Sequence, residues 1–134
     1  MQKVGILNSS IAKVLADLGH TDKICVGDCG LPVPAGVQKI DLALRLGEPP
    51  FIEVIKEMAK YMQIEKIYLA PETKVQNPAQ WNALQEVFPE SEVEWMMLES
   101  HEELKAWEKD CKAVIRTGEI TPFSNVILQS GVIF

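Results

Sequence analysis

The residues of this sequence best suited to proton transfer stand at the two borders of one short apolar segment. His20 precedes the segment 24–26, and Asp28 opens the loop that follows it. This loop, residues 27–34, contains two glycines and two prolines, a composition that can hold a side chain in a fixed direction. A single histidine is nevertheless more often a solvated surface residue, so these two residues alone do not establish an active site.

The second histidine stands at the start of a predicted helix. Ser100 and Glu103 form the S-x-x-E pattern of a capping box, which places His101 at the first helical position. The positive end of the helix dipole disfavours a protonated imidazole, so we expect a neutral ring that exchanges hydrogen bonds near pH 7. An exposed histidine without a role is the alternative, and the residue type alone favours it.

The distance along the chain between His20 and Asp28 limits how they can cooperate. His20 precedes a predicted strand that Asp28 ends, and five strand residues span roughly 17 Å. If both residues serve one site, the simplest arrangement brings His20 of one subunit to Asp28 and His101 of another. This arrangement predicts a homo-oligomer with active sites between subunits, and we expect the apolar tail 132–134 to take part in the interface.

Predicted strands and helices alternate along the chain. Apolar periodicity and end signals predict helices at Ser9–Leu18, from Pro49-Pro50 onward, from Asn77-Pro78 to about Val87, and after Ser100. Strands are predicted at 23–28, 40–44, 65–70, 93–98, 113–117 and 125–128. The pattern predicts an α/β fold in three layers, a mostly parallel sheet with helices on both faces. With 134 residues the chain fits a single domain, 1–134.

Ligands of such sheets bind beyond the carboxyl ends of the strands. Three polar clusters fall at predicted strand ends: Asp28, Ser100-His101 and Gly118-Glu119. We expect them to converge on one crevice.

Composition and missing motifs exclude several classes of protein. A net charge of -6 with no basic patch makes nucleic acid a poor partner. The apolar runs are far too short to cross a membrane, so we expect a soluble intracellular protein. The three cysteines have no ligand spacing, so neither a disulfide framework nor a metal site is predicted. Dinucleotide, P-loop and nucleophile-elbow motifs are absent, and no cofactor is expected.

Several blocks of the sequence together resemble the ribose pyranase and fucose mutarotase family of sugar-anomer isomerases. They cover nearly the whole chain in order and spacing. The blocks are Leu7-Asn8-Ser9, Leu18-Gly19-His20-Thr21-Asp22, Asp28-x-Gly30-Leu31-Pro32-x-Pro34, Ile40-Asp41-Leu42, Ala113-Val114-Ile115-Arg116-Thr117-Gly118-Glu119, Thr121-Pro122, Asn125 and Gly131-Val132-x-Phe134.

The resemblance implies a cytoplasmic enzyme that interconverts the pyranose and furanose forms of D-ribose, assembled as a ring-based homodecamer with sites between subunits. It implies that His20 is the proton donor. The sugar would be bound by Asp28, His101 and the segment Phe123, Ser124 and Asn125. Opening a cyclic hemiacetal needs only a proton removed from the anomeric hydroxyl and one delivered to the ring oxygen, so no metal or redox cofactor is implied.

One position departs from the family pattern and keeps alternatives open. Family members usually carry tyrosine where this chain has Phe123, so the phenolic hydroxyl is missing while the ring can still pack on a sugar. One alternative is a mutarotase for fucose or another monosaccharide. A second is a catalytically silent sugar-binding oligomer, and a third is a purely structural oligomer.

Overall fold

A six-stranded sheet runs through the middle of the computed structural model. Its strands, in chain order, are β1 Lys23–Gly27, β2 Gln38–Asp41, β3 Ile64–Leu69, β4 Glu94–Met97, β5 Ala113–Arg116 and β6 Val126–Ser130. The helices are α1 Ser9–Asp17, α2 Phe51–Tyr61, α3 Pro71–Gln76, α4 Pro78–Val87 and α5 His101–Trp107, and α5 continues into a short 3-10 helix at Glu108–Asp110. No helix has the length and apolar character needed to cross a membrane.

The sheet has the spatial order β2-β5-β1-β6-β3-β4. The pairs β2 with β5, β5 with β1, and β3 with β4 are parallel. Strand β6 is antiparallel to both of its neighbours, β1 and β3, so the other five strands share one direction. The predicted mostly parallel sheet is therefore confirmed, with β6 as its single reversed strand.

Two apolar clusters cover the two faces of the sheet. The larger joins α1, α2 and α4 to one face, and the smaller joins α5 to the other. Alternate residues of β1 divide between them, Ile24 and Val26 facing the larger cluster and Cys25 the smaller, as the two-residue period of a strand requires. The three-layer α/β prediction is confirmed.

Side chains cap the N-termini of α1 and α5, the latter as the capping box predicts. The N–H of Ile11 donates to Asn8 Oδ1 at 3.0 Å, and that of Glu103 donates to Ser100 Oγ at 3.2 Å. Each side-chain oxygen thus satisfies a main-chain donor that has no partner inside the helix. His101 is the first residue of α5, as the capping box predicts.

Three parts of the chain differ from the sequence predictions or extend them. The second strand spans 38–41 rather than 40–44, because the Asp41 carboxylate accepts the N–H of Ala43 and turns the chain there. Helix α3 was not predicted; it is six residues long and buries only Thr73, so it has no apolar stripe to reveal it. The tail after Ser130 is outside the sheet, and Phe134 is fully exposed.

Candidate active site

Asp28 and Asn125 meet where β1 ends and β6 begins. The N–H of Asp28 donates to Asn125 Oδ1 at 3.0 Å, and the Asp28 carboxylate accepts the N–H of Gly30 at 3.0 Å. A Cβ on Gly27 would lie 2.7 Å from Asn125 Oδ1 and 2.3 Å from Leu31, so only glycine allows this approach. Burial raises the pKa of Asp28, and the hydrogen bonds from Gly30 and Asn125 partly oppose it.

His101 lies on the same side of the sheet as Asp28. Its main-chain N–H donates to Glu72 Oε2 of α3 at 3.0 Å, and its ring stands perpendicular to that of Phe123 with 5.2 Å between centroids. Burial, followed by the charge of Lys105, lowers the pKa of His101, so the ring is neutral near pH 7. Its Nδ1 is buried without a hydrogen-bond partner, which leaves one polar atom available to a ligand.

The segment Phe123–Asn125 is held rigidly by its surroundings. Phe123 has a positive φ of 60°, unusual for a bulky residue, and its carbonyl accepts from Thr73 Oγ1 at 3.0 Å. Asn77 Nδ2 donates to the Pro122 carbonyl at 2.8 Å and to Ser124 Oγ at 3.1 Å. The Ser124 hydroxyl donates in turn to the Thr121 carbonyl, and its side chain is fully buried. Ser124 therefore shapes the loop, while the ring of Phe123 faces His101.

Glu119, at the end of another predicted strand, anchors the same loop. Glu119 is 7% exposed, and its carboxylate accepts from the hydroxyl and N–H of Thr121 and from the N–H of Phe51. These hydrogen bonds together lower the pKa of Glu119 although burial opposes them, so the group is ionised and fully engaged. The Glu119 carbonyl accepts the N–H of Cys29 beside Asp28, but the Glu119 carboxylate is engaged by Thr121 and Phe51 and is not free to meet a ligand.

His20 lies at the opposite end of β1, just before the strand begins. Its Nε2 is 3.0 Å from Glu65 Oε2. The other oxygen of Glu65 accepts from Gln129 Nε2 at 2.7 Å, and Tyr68 donates its hydroxyl to Gln129 Oε1 at 2.6 Å. Hydrogen bonds from Gln129 and His20 lower the pKa of Glu65, so it is a carboxylate at neutral pH.

The turn that carries His20 is tied to the end of β6. Thr21 has a positive φ of 70°, and its N–H donates to the Ser130 carbonyl at 2.9 Å. The Ser130 N–H donates to the Asp22 carbonyl at 2.8 Å, and the Asp22 carboxylate accepts the N–H of Gly19. An open depression of about 470 Å³ lies beside His20. Its wall includes Tyr61, Met62, Gly131, Val132, Ile133 and Phe134.

The structure thus brings five of the six predicted site residues together and leaves one apart. Asp28, His101 and the segment 123–125 gather at the carboxyl end of β1. His20 stands at the other end of that strand, about 17 Å away by strand geometry. No three His, Cys, Asp or Glu side chains come together in a way that could hold a metal ion.

Sequence reasoning missed two groups that support this arrangement. Glu65 is the partner of His20, and Asn77, which the sequence marked only as the start of a helix, holds the loop 122–124. No local pattern marks either role, because each depends on a contact between residues 45 apart in the chain.

Comparison with known proteins shows the family to which the chain belongs. Residues 1–133 match the model of the RbsD / FucU transport protein family. The chain is 54% identical over 134 residues to the D-ribose pyranase of Staphylococcus haemolyticus strain JCSC1435, and the match covers the whole of both chains.

Two solved structures share the fold. Bacillus subtilis RbsD complexed with D-ribose has a TM-score of 0.95 and 54% identity, with full coverage of both chains. The fucose mutarotase of Streptococcus pneumoniae in complex with L-fucose has a TM-score of 0.81 at 19% identity, covering 96% of this chain and 95% of that one. At this low identity the second likeness concerns the fold alone.

Proposed function

Because the chain belongs to the RbsD / FucU transport protein family, we propose that it is a D-ribose pyranase, an isomerase that interconverts the β-pyranose and β-furanose forms of D-ribose. The observation that carries this proposal is the 54% identity to a D-ribose pyranase over the full length of both proteins. The likeness to a structure solved with D-ribose supports the same sugar. The fucose mutarotase likeness gives no comparable support, since identity there is 19%.

The proposed reaction requires one proton donor and one proton acceptor. As the bond between C1 and the ring oxygen breaks, its electron pair goes to that oxygen, which takes a proton from His20. The anomeric hydroxyl loses its proton and becomes the carbonyl of the open-chain sugar. The 4-hydroxyl then adds to C1, loses its proton, and the carbonyl oxygen regains one, which gives the furanose. Protons and electrons balance without a cofactor.

We assign the sugar-binding roles to the cluster at the carboxyl end of β1. The Asp28 carboxylate accepts hydrogen bonds from sugar hydroxyls, and its raised pKa makes it the more able to take the anomeric proton. His101, neutral and with Nδ1 unpartnered, offers a further polar contact. Phe123 packs its ring on a sugar face, while Ser124 and Asn125 fix the loop beneath it.

We further propose that the working site forms between subunits of a homodecamer in the cytoplasm. The separation of His20 from Asp28 along β1 supports a shared site, because one chain cannot bring the two residues to one sugar. The exposed tail beside His20 supports the position of the contact: Ile133 is 89% exposed and Phe134 fully exposed, an apolar surface suited to another copy of the chain.

Saturation-transfer NMR on D-ribose tests the function directly. The protein is expected to accelerate exchange between pyranose and furanose signals. His20→Ala should lower that acceleration by roughly 100-fold or more, the usual contribution of a positioned acid. Gln85→Ala, an exposed position on α4, serves as the control and should exchange ribose at the wild-type rate. Ribose binding without accelerated exchange would favour the silent sugar-binding alternative, and exchange of fucose in preference to ribose would change the substrate.

A further inference from the structure

Glu65 is the only side chain that contacts the ring of His20 by a hydrogen bond, and nothing in the proposed reaction has yet used it. We propose that Glu65 is a positioning residue: it binds His20 Nε2 so that Nδ1 is the nitrogen presented to the sugar. This inference rests on the proposed function of His20. It concerns the direction and protonation of the imidazole, not a contact between Glu65 and the substrate.

An irregularity in the sheet directs Glu65 toward His20. In the pairing of β3 with β6, Ile64 is opposite Ser130 and Lys66 is opposite Gln129, so Glu65 is an extra residue without a partner. Such a bulge re-aims a side chain out of the regular alternation. The departure from regular pairing falls at the one residue of β3 that contacts His20.

The carboxylate is also fixed from its other side. Gln129 Nε2 donates to Glu65 Oε1 at 2.7 Å, and Gln129 is itself held by the Tyr68 hydroxyl at 2.6 Å. A Cβ on Gly131 would lie 3.0 Å from the Cβ and 3.4 Å from Oε2 of Glu65, so the absence of a side chain there leaves room for it. One carboxylate oxygen is thus anchored in the sheet, and the other is left for His20.

The charge state of Glu65 determines which nitrogen carries the proton. Gln129 and His20 lower the pKa of Glu65, and an ionised carboxylate can only accept hydrogen bonds. His20 Nε2 must therefore be the donor, and in the neutral ring Nδ1 holds the free electron pair. When the ring is protonated, Nδ1–H is the bond that delivers the proton to the ring oxygen of the sugar, and Nδ1 takes it back on reclosure.

Glu65→Gln removes the charge while nearly keeping the shape, and Glu94→Gln is the matched control. Glu94 is an exposed acid at the start of β4 that pairs with Lys66 at 3.2 Å and lies outside the site. In ribose exchange, Glu65→Gln should lower kcat by roughly 10- to 100-fold, a part of what acid catalysis supplies, with KM changed less than about twofold. Glu94→Gln should leave both constants at the wild-type value. Glu65→Asp, which keeps the charge, should recover part of kcat.

Two further measurements separate positioning from a structural role. Added to His20→Ala, the Glu65→Gln change should lower exchange no further, since the two residues act as one unit. The ring nitrogens of His20, labelled with 15N and read by solid-state NMR at alkaline pH, should show a proton on Nε2. The Nε2 signal should move in Glu65→Gln and stay in place in Glu94→Gln. With two histidines in the chain, His20→Ala identifies the signals.

The outcomes distinguish this inference from the function on which it rests. If the wild-type protein does not accelerate ribose exchange, the proposed function fails, and the ring signals still decide whether Glu65 holds Nε2. If the wild type is active and Glu65→Gln matches Glu94→Gln, or if the proton is found on Nδ1 alone, the positioning role is overturned. If sedimentation shows that Glu65→Gln no longer assembles, Glu65→Asp becomes the kinetic test. A Glu65→Asp protein no more active than Glu65→Gln would also contradict the inference.

Discussion

Glu108 is a fully buried carboxyl whose two oxygens have no hydrogen-bond partner. It lies in the short helix after α5, on the face of the sheet that holds Cys25 and Cys111. Burial raises its pKa to about 7 from the ordinary 4.5; Lys105 opposes the shift and Asp28 adds to it. Since the charged form is costly in this place, folding favours a protonated Glu108, and ionisation destabilises the folded state.

The expected effect on stability follows from this shift. One pKa unit corresponds to about 1.36 kcal/mol, so a change from 4.5 to about 7 corresponds to about 3 kcal/mol. Between those two pH values the folded state binds more protons than the unfolded state. The free energy of unfolding therefore falls as pH rises, by up to about 3 kcal/mol from this group, and is level again above pH 7.

Glu108→Gln removes the titrating carboxyl group. The free energy of unfolding of the variant should therefore depend less on pH between 4.5 and 7. We expect the stability of the variant relative to wild type to increase by about 3 kcal/mol between pH 4.5 and pH 8, as measured by urea unfolding at one fixed protomer concentration. Glu90→Gln, at an exposed position, is the control, and its difference from wild type should vary by less than about 0.5 kcal/mol. A difference between Glu108→Gln and wild type that stays constant with pH would refute the reasoning.

Two other predictions concern the proposed sugar-binding cluster and its proposed sharing between chains. Gly27→Ala should raise KM for ribose roughly tenfold or more in the NMR exchange assay, because the new methyl group would displace Leu31 or Asn125; an unchanged KM would contradict the close approach. When inactive His20→Ala and Asp28→Asn chains are unfolded and refolded together in equal amounts, about one quarter of the sites should regain both residues if each site draws on two subunits. No recovery of exchange would contradict a site shared between two subunits.

The ends of the helices and the layered architecture of the fold were predictable from the sequence because they depend on residues close together in the chain. Asn8 and Ser100 satisfy main-chain donors three residues away, and this spacing is visible in the sequence. The alternation of apolar segments with amphipathic stretches was likewise enough for the α/β class. Strand ends then indicated that Asp28 and His101 would lie on one side of the sheet.

The support around these residues could not be predicted, because it depends on strand register. The bulge that places Glu65 beside His20 exists only in the pairing of β3 with β6, and Gln129 reaches Glu65 across 64 residues of sequence. Helix α3 lacks an apolar stripe, yet it supplies the Thr73 hydroxyl that holds the Phe123 carbonyl. Local patterns carry no information on such contacts.

The length of the reversed strand β6 sets the distance between the two ends of the protomer that carry the predicted site residues. It starts next to Asn125, beside the proposed sugar-binding cluster, and ends at Ser130, whose carbonyl accepts the N–H of Thr21 in the turn that carries His20. In the proposed assembly, the two sites to which one protomer contributes would therefore lie about 17 Å apart, the length of the five residues of β6. A shift of β6 by one residue in its pairing would move each of its side chains to the opposite face of the sheet. Both sites to which the protomer contributes would then be impaired together.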